Sequence, residues 1–173
     1  VFSAADTWID PAAFAIGADY CWYGVNGATG LLQSALLGMA RPGQAVLMPR
    51  NVHRSIIEAC ALGDLTPVLF DLPFASDRGH MLPPDTALLS QILESSFLDG
   101  VDIACVVLVS PTYHGYAIDL INLIPKIHGF GYPVLVDESH GAHFAINADS
   151  KLPASAITAG ADLVVHSLHK SAA

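Results

Sequence analysis

Charged side chains are scarce in this chain of 173 residues. Asp, Glu, Lys and Arg make up 13% of it, and only 7 residues are Lys or Arg against 16 that are Asp or Glu, for a formal net charge of -9. The basic residues form no cluster, whereas a nucleic-acid backbone is bound by clustered Lys and Arg. The sequence therefore predicts no nucleic-acid partner.

Long apolar runs are also missing. No run approaches the roughly 20 residues that a helix needs to cross a bilayer, and no basic segment followed by an apolar one opens the chain. We therefore expect a cytoplasmic protein with no membrane partner. Cysteine is limited to Cys21, Cys60 and Cys105, widely spaced among apolar neighbours. An odd, dispersed set predicts reduced core thiols and argues against a disulfide framework or a zinc site.

Apolar side chains, by contrast, are abundant. They make up 53% of the chain and give a mean hydropathy of +0.49, and the length suits one domain with a substantial core. Much of this apolar surface is expected to be buried within the domain or against further chain. Because the sequence begins at Val1 and stops three residues after Lys170, we expect residues 1–173 to be a partial domain of a longer protein, with a C-terminal domain absent.

Short apolar strands alternate with helical patterns along the chain, which is typical of βαβ units. The predicted fold is α/β, a three-layer α/β/α arrangement in which helices cover both faces of a mostly parallel sheet. The predicted helices are 12–18, 27–39, a helix with Asn51 as its N-cap and Gly63 as its stop, 88–93, 118–127 and 153–159, and the predicted strands are 45–48, 68–70, 103–109, 134–136 and 163–165.

Polar side chains directly follow three of these strands. Asp137 ends one strand, residues 110–113 follow another, and the run from His166 to Lys170 follows a third. Open α/β sheets bind ligands at the carboxyl ends of their strands, so we expect these groups to converge. An amine at the end of a buried strand would be desolvated, which favours the uncharged, nucleophilic form that makes a Schiff base.

A glycine-rich helix start supplies a third component. Backbone N–H groups from Gly27 to Gly30, the helix dipole and the Thr29 hydroxyl would stabilise a phosphate. A carboxylate such as Asp137 keeps a pyridine nitrogen protonated and makes the ring an electron sink. Together, the lysine, the aspartate and the phosphate-binding helix start predict a pyridoxal phosphate site. Purely structural interpretations stay open: a turn into a core helix for the glycines, a cap or ion-paired acid for Asp137, and a capping or surface position for His53.

Five motifs in order resemble the ornithine/lysine/arginine decarboxylases, pyridoxal phosphate enzymes of the aspartate-aminotransferase-like fold (fold type I). The resemblance covers the chain from about Pro11 to Lys170. The motifs are Asn26-Gly27-Ala28-Thr29-Gly30, Pro49-Arg50-Asn51-Val52-His53-Arg54-Ser55, Ser110-Pro111-Thr112-Tyr113-His114-Gly115, Asp137-Glu138-Ser139-His140-Gly141-Ala142-His143 and Ser167-Leu168-His169-Lys170.

The resemblance implies decarboxylation of arginine, lysine or ornithine to the corresponding amine, with pyridoxal phosphate as the coenzyme. It implies that Lys170 forms the Schiff base, that Asp137 contacts the ring nitrogen and that His53 stacks on the ring. His140 would lie near the ring's edge or its phenolic oxygen. The residues that would hold the phosphate are Ala28, Thr29, Gly30, Ser167 and His169.

The chain departs from the family pattern at three positions. Ala28 and Gly30 stand where many members carry hydroxyl residues, so phosphate binding would depend more on backbone N–H donors. Leu168 replaces a common small or polar residue. None of these changes removes a group essential for the chemistry.

Other functions remain open at this point. One is a different pyridoxal phosphate enzyme of the same fold, an aminotransferase or a carbon–carbon lyase. Another is a metal-dependent hydrolase, because His140 with His143 and His166 with His169 lie near Asp137, although such pairs present both rings together only on a helix. A third is an inactive cofactor-binding or scaffold unit, since enzymes of this kind are built as homodimers or higher oligomers with shared sites.

Overall fold

A computed structural model describes residues 10–146 and 151–171, so parts of the predicted domain over 1–173 lie outside the described residues. The helices are α1 Pro11–Ile16, α2 Gly27–Met39, α3 Arg54–Leu62, α4 Thr86–Leu98, α5 Leu120–Gly129, α6 Ala142–Ile146 and α7 Leu168–Ser171. The strands are β1 Ala45–Pro49, β2 Thr66–Phe70, β3 Phe74–Ala75, β4 His80–Met81, β5 Ile103–Val109, β6 Val134–Asp137 and β7 Leu163–Val165.

Five strands form one parallel sheet in the order β2-β1-β5-β6-β7, and β3 pairs with β4 in a separate antiparallel hairpin. Strands β1 and β6 are buried throughout, as expected for parallel strands covered on both faces. In the register, Asp137 lies beside Val109 of β5 and Val165 of β7. The predicted α/β class with a mostly parallel sheet is therefore confirmed.

Two apolar cores cover the two faces of the sheet. On one face Leu32 and Leu36 of α2 and Ile56 of α3 pack with Leu135. On the other face Leu93 of α4 packs with alternate strand residues and with the inner face of α5. This alternation follows from strand geometry, in which successive side chains point to opposite faces, and it completes the three predicted layers.

Helix α2 coincides with its predicted bounds, whereas α3 begins later than predicted. The prediction that Asn51 caps this helix is wrong: the N-cap is His53, whose Nδ1 accepts a hydrogen bond from the backbone N–H of Ser55 at 3.2 Å. A histidine ring nitrogen fills the acceptor role that Asn or Ser usually takes. The Asn51 side-chain oxygen is buried without a hydrogen-bond partner among the described residues.

The predicted helix at 153–159 is also wrong, because residues 153–155 have no regular structure and residues 156–160 form turns. The backbone N–H of Ala156 donates to a carboxylate oxygen of Glu138 at 2.8 Å, and the N–H of Thr158 donates to Ser155 Oγ at 3.1 Å. The first of these contacts crosses 18 residues of sequence, so local periodicity could not reveal it. The β3–β4 hairpin and helix α6 were not predicted.

The cysteines have no disulfide partner: Cys60 and Cys105 are buried and Cys21 is half-buried. Burial, with a smaller contribution from Cys60, raises the pKa of Cys105 to about 12, so Cys105 stays a thiol near neutral pH, as predicted for a core residue. Over residues 10–146 and 151–171, no helix is long and apolar enough to cross a bilayer.

Candidate active site

The carboxyl ends of the parallel strands bring the motif residues to one edge of the sheet. Asp137 ends β6, residues 110–113 follow β5, and the run from His166 to Lys170 follows β7. Helix α2 runs back to the start of β1 through five residues, 40–44, so its N-terminus lies at the same edge. The strand ends and the N-terminus of α2 thus share one edge of the sheet, and phosphate binding there stays a prediction.

Asp137 is a fixed, buried carboxylate, with only 7% of its surface exposed. Its Oδ1 accepts hydrogen bonds from the backbone N–H of Ser139 at 3.1 Å and from the Ser139 hydroxyl at 2.5 Å. Strand alternation places Asp137 on the same face as Leu135, which is the face covered by α2. Among the described contacts none engages Asp137 Oδ2, so this oxygen can accept a hydrogen bond from a ligand.

Lys170 lies against His140, with Nζ 3.2 Å from Nε2. The pKa of His140 is lowered, first by burial and second by the positive charge of Lys170, while the charge of Asp137 opposes both. The neutral imidazole is the form that accepts a hydrogen bond from an ammonium group. Lysine, histidine and aspartate therefore act on one another electrostatically, although 33 residues separate Asp137 from Lys170.

The expectation of a desolvated lysine is wrong for the described chain. Lys170 does not end strand β7, in which only Val165 is buried; it lies on the four-residue helix α7 and is exposed. Strand β7 ends at Val165, and Ser167 closes the turn by accepting the backbone N–H of Lys170 at 3.0 Å. The described residues leave the amine open to an incoming molecule.

Ser167 and His169 accompany the lysine as predicted. Ser167 is buried, and its Oγ lies 3.4 Å from Nδ1 of the exposed His169. Both are therefore held next to Lys170 by the turn between β7 and α7. This arrangement can provide hydroxyl and imidazole donors to an anionic group, which remains a prediction for these two residues.

The N-terminus of α2 is an open donor site. The side chain of Asn26 makes no capping hydrogen bond, and Gly27 has φ 71°, a conformation that favours glycine. Thr29 is exposed, and Ala28 and Gly30 are half-buried. A Cβ at Gly30 would find only the Cβ of Asn26 within 4 Å, at 3.9 Å. The first N–H groups of this 13-residue helix are thus free of a side-chain cap and suit an anion.

His53 is at the carboxyl edge beyond β1, but its described contacts are those of a cap. The ring is exposed, and Nδ1 lies 2.8 Å from Ser55 Oγ in addition to its contact with the Ser55 N–H. The capping interpretation of His53 is therefore confirmed, and its stacking on a coenzyme ring stays a prediction.

The sequence did not reveal the contacts of three residues of this region, Tyr113, Glu138 and His166. The ring of Tyr113, 83% exposed, meets the ring of His140 edge-on with centroids 5.7 Å apart. Glu138 is fully buried and its Oε2 lies 2.7 Å from Nε2 of His166. All three lie within the quoted motifs or next to them. The residues they contact follow other strands, so the sequence does not show these pairings.

The histidine pairs considered as metal ligands face different partners. His166 contacts Glu138, His140 contacts Lys170, and the Nδ1 of His143 is buried without a partner among the described residues. Within the ranges that the structure describes, no group of three or more His, Cys, Asp and Glu side chains forms a candidate metal site.

Comparison with known proteins identifies the family. The Orn/Lys/Arg decarboxylase major domain matches residues 4–173. Arginine decarboxylase of Bacillus subtilis (strain 168) is 34% identical over 163 residues, which cover 93% of this chain and 32% of that protein. The chain thus spans about a third of the length of the curated relatives it matches.

Solved structures share the fold. Mouse CSAD in its apo form superposes with a TM-score of 0.68 at 18% identity, covering 91% of this chain and 36% of that one. The pyridoxal-5'-phosphate dependent protein YhfS from Escherichia coli gives a TM-score of 0.58 at 15% identity, covering 80% and 32%. These likenesses confirm the aspartate-aminotransferase-like fold, here in part. With this fold, and with the match over residues 4–173, the chain belongs to the Orn/Lys/Arg decarboxylase major-domain family.

Proposed function

We propose that this chain is the coenzyme-binding part of a decarboxylase that converts a basic amino acid, arginine, lysine or ornithine, to the corresponding amine. Pyridoxal phosphate is the coenzyme that the family and the fold indicate. The observation that carries the proposal is the meeting of Lys170, His140 and Asp137 at the sheet edge where α2 begins.

The residues at this edge fit the coenzyme's chemistry. An exposed amine is available for a carbonyl carbon, a buried carboxylate for a ring nitrogen, and an uncapped helix N-terminus for a phosphate. When bound, pyridoxal phosphate supplies an electron sink for the pair of electrons left when carbon dioxide departs from the substrate.

Each residue then has a defined task. Lys170 would supply the amine that holds the coenzyme, and when its Nζ is not so engaged it would hold a proton beside His140 Nε2. Asp137, whose Oδ1 is fixed by Ser139, would keep a proton on the ring nitrogen through its negative charge. The N-terminal turn of α2, with Thr29, Ser167 and His169, holds the phosphate. His53 stacks on the ring from the end of β1.

The substrate class is supported by the arginine decarboxylases among the relatives, at 34% and 32% identity. The same evidence supports a small-molecule amino acid as the partner of this site. A homodimer or higher homo-oligomer belongs to the proposal as well, supported by the apolar side chains of Tyr20, Trp22 and Tyr23, which are between 68% and 75% exposed.

The test uses the complete protein loaded with pyridoxal phosphate. Borohydride treatment followed by peptide mapping should place the coenzyme label on Lys170, and Lys170→Ala should lose the label and the visible absorption band. Release of carbon dioxide from arginine, lysine and ornithine, each supplied in turn, then identifies the substrate. A label on another residue, or conversion of the substrates to keto acids without carbon dioxide, would contradict the proposal.

A further inference from the structure

Glu138 is a second acid at the end of β6, and the proposed chemistry does not use it. It is fully buried, and strand alternation turns its side chain away from the face of Asp137. Oε1 accepts the backbone N–H of Ala156 at 2.8 Å, and Oε2 accepts the Nε2–H of His166 at 2.7 Å. Because each carboxylate oxygen accepts a hydrogen bond, the buried Glu138 side chain is held in one position.

The two contacts lie on either side of β7. Ala156 belongs to the turns that lead into this strand, and His166 follows its last residue. The backbone N–H of Glu138 adds a third tie by donating to the carbonyl of Val165 at 3.0 Å. Since β7 has only three residues, these three hydrogen bonds contribute much of the interaction that holds its carboxyl end against β6.

Both reacting groups are attached directly to this junction. Asp137 precedes Glu138, and Lys170 follows His166 by four residues, through a turn and a single helical turn. The turn carrying His140 is also packed on Glu138: a Cβ at Gly141 would lie 2.8 Å from Glu138 Cγ and 2.6 Å from Pro111 Cδ. A shift of Glu138 or His166 would therefore move the amine relative to the carboxylate.

We propose that Glu138 and His166 are positioning residues whose hydrogen bond sets the separation between Lys170 and Asp137 that the coenzyme requires. The inference rests on the proposed function and deepens it. The pair touches neither coenzyme nor substrate; it acts by holding the ends of β6 and β7 together. Truncating His166 leaves the Glu138 carboxylate buried with one acceptor unsatisfied, which favours local rearrangement at this junction.

The experiment measures covalent attachment of pyridoxal phosphate to the complete protein, followed through the visible band and through borohydride labelling of Lys170. His166→Leu removes the donor to Glu138, and His166→Asn shortens the side chain so that its amide does not reach the carboxylate. Both are expected to slow attachment about tenfold or more, since misplacement of a reacting group by about 1 Å can cost about a hundredfold in rate. His166→Gln, whose side-chain N–H replaces Nε2–H, is expected to restore most of the rate. If the leucine variant does not fold, the asparagine variant provides the measurement.

A matched control is available at the opposite edge of the same strands. His128 Nε2 lies 2.9 Å from Asp162 Oδ2, and that oxygen also accepts the backbone N–H of Val134, at the start of β6. His128→Leu removes a histidine–carboxylate contact between α5 and the segment before β7, and it is expected to leave attachment at the rate of the unmodified protein.

The outcomes separate the inference from the proposed function. Folded His166 variants that attach the coenzyme at the unmodified rate would overturn the positioning role, and so would equal slowing in His128→Leu, which would reveal a general loss of stability. Failure of the unmodified protein to label at Lys170 would instead overturn the proposed function.

Discussion

At the residue scale, the contact between Lys170 and His140 joins a cation to a neutral acceptor. The imidazole Nε2 accepts from Nζ at 3.2 Å, and the pKa of His140 is held low by burial and by the lysine charge. A protonated imidazole has no acceptor nitrogen, so the contact is present above the pKa of His140 and is lost as pH falls through it.

This contact predicts the effect of removing the lysine charge. Lys170→Met should raise the pKa of His140, because one of the two causes that lower it disappears while the opposing charge of Asp137 remains. An NMR titration of the His140 ring measures the change. Lys126→Met, which removes a lysine from α5 instead, serves as the control and should leave the His140 titration where it was.

A second prediction concerns the effect of the Asp137 charge on the rate of decarboxylation. Asp137→Asn keeps an oxygen for Ser139 but loses the negative charge that holds a proton on the ring nitrogen. We expect the coenzyme to remain bound and kcat for decarboxylation to fall on the order of a hundredfold, the usual size for loss of one preorganised electrostatic contact.

Carbon dioxide release from the preferred amino acid measures this change. Asp77→Asn removes an exposed carboxylate that pairs only with the neighbouring Arg78 among the described contacts and is the comparison variant. Equal kcat values for the Asp137 and Asp77 variants would rule out the role given to Asp137.

At the element scale, α2 shows how far local sequence determines structure. Apolar spacing predicts the helix and residues 41–43, Arg-Pro-Gly, predict its end. Leu32 and Leu36 are buried on one face, as the spacing requires. The predicted start of α3 is wrong because the N-cap is His53. Asparagine is the more usual capping residue, so the sequence favours the nearby Asn51. The segment 153–159 was misassigned because Glu138, distant in sequence, holds its backbone.

Two glycines of α2 should respond in opposite ways to substitution by alanine. Gly27 has φ 71°, so Gly27→Ala should lower the free energy of unfolding by about 1 kcal/mol through backbone strain. Gly38 lies within the helix with no atom in the way of a Cβ, so Gly38→Ala should raise it by about 0.5–1 kcal/mol. Urea unfolding of the complete protein measures both, and a gain in stability for Gly27→Ala would contradict the described helix start.

At the scale of the whole molecule, the described surface has an exposed apolar region of the kind that further protein usually buries. Large apolar side chains near the first helices are more than two-thirds exposed, namely Phe14, Tyr20, Trp22, Tyr23 and Val25. Patches of this kind mark contacts with further protein. The exposed Lys170 and the open start of α2 are consistent with a site completed by other chain segments.

The isolated 173-residue chain is therefore expected to release no carbon dioxide from arginine, lysine or ornithine. Its exposed apolar surface should also bind a fluorescent hydrophobic dye such as ANS more strongly, per mole, than the complete protein does. Carbon dioxide assays and dye fluorescence on the two forms test this expectation. Turnover by the isolated chain at a rate comparable with the complete protein would show that the described residues contain the entire site.

Local sequence signals are enough to predict the alternation of strands and helices, the parallel sheet and the edge at which Asp137 and Lys170 lie. Apolar periodicity and strand ends are local signals, and parallel topology converts them into a shared edge. The tertiary structure decided the rest: that Lys170 is exposed on a helical turn, that its partner is His140, and that Glu138 ties His166 and Ala156 together. These contacts join residues 18 to 30 positions apart, and only packing of the strands selects them from the many pairings that the residue types allow.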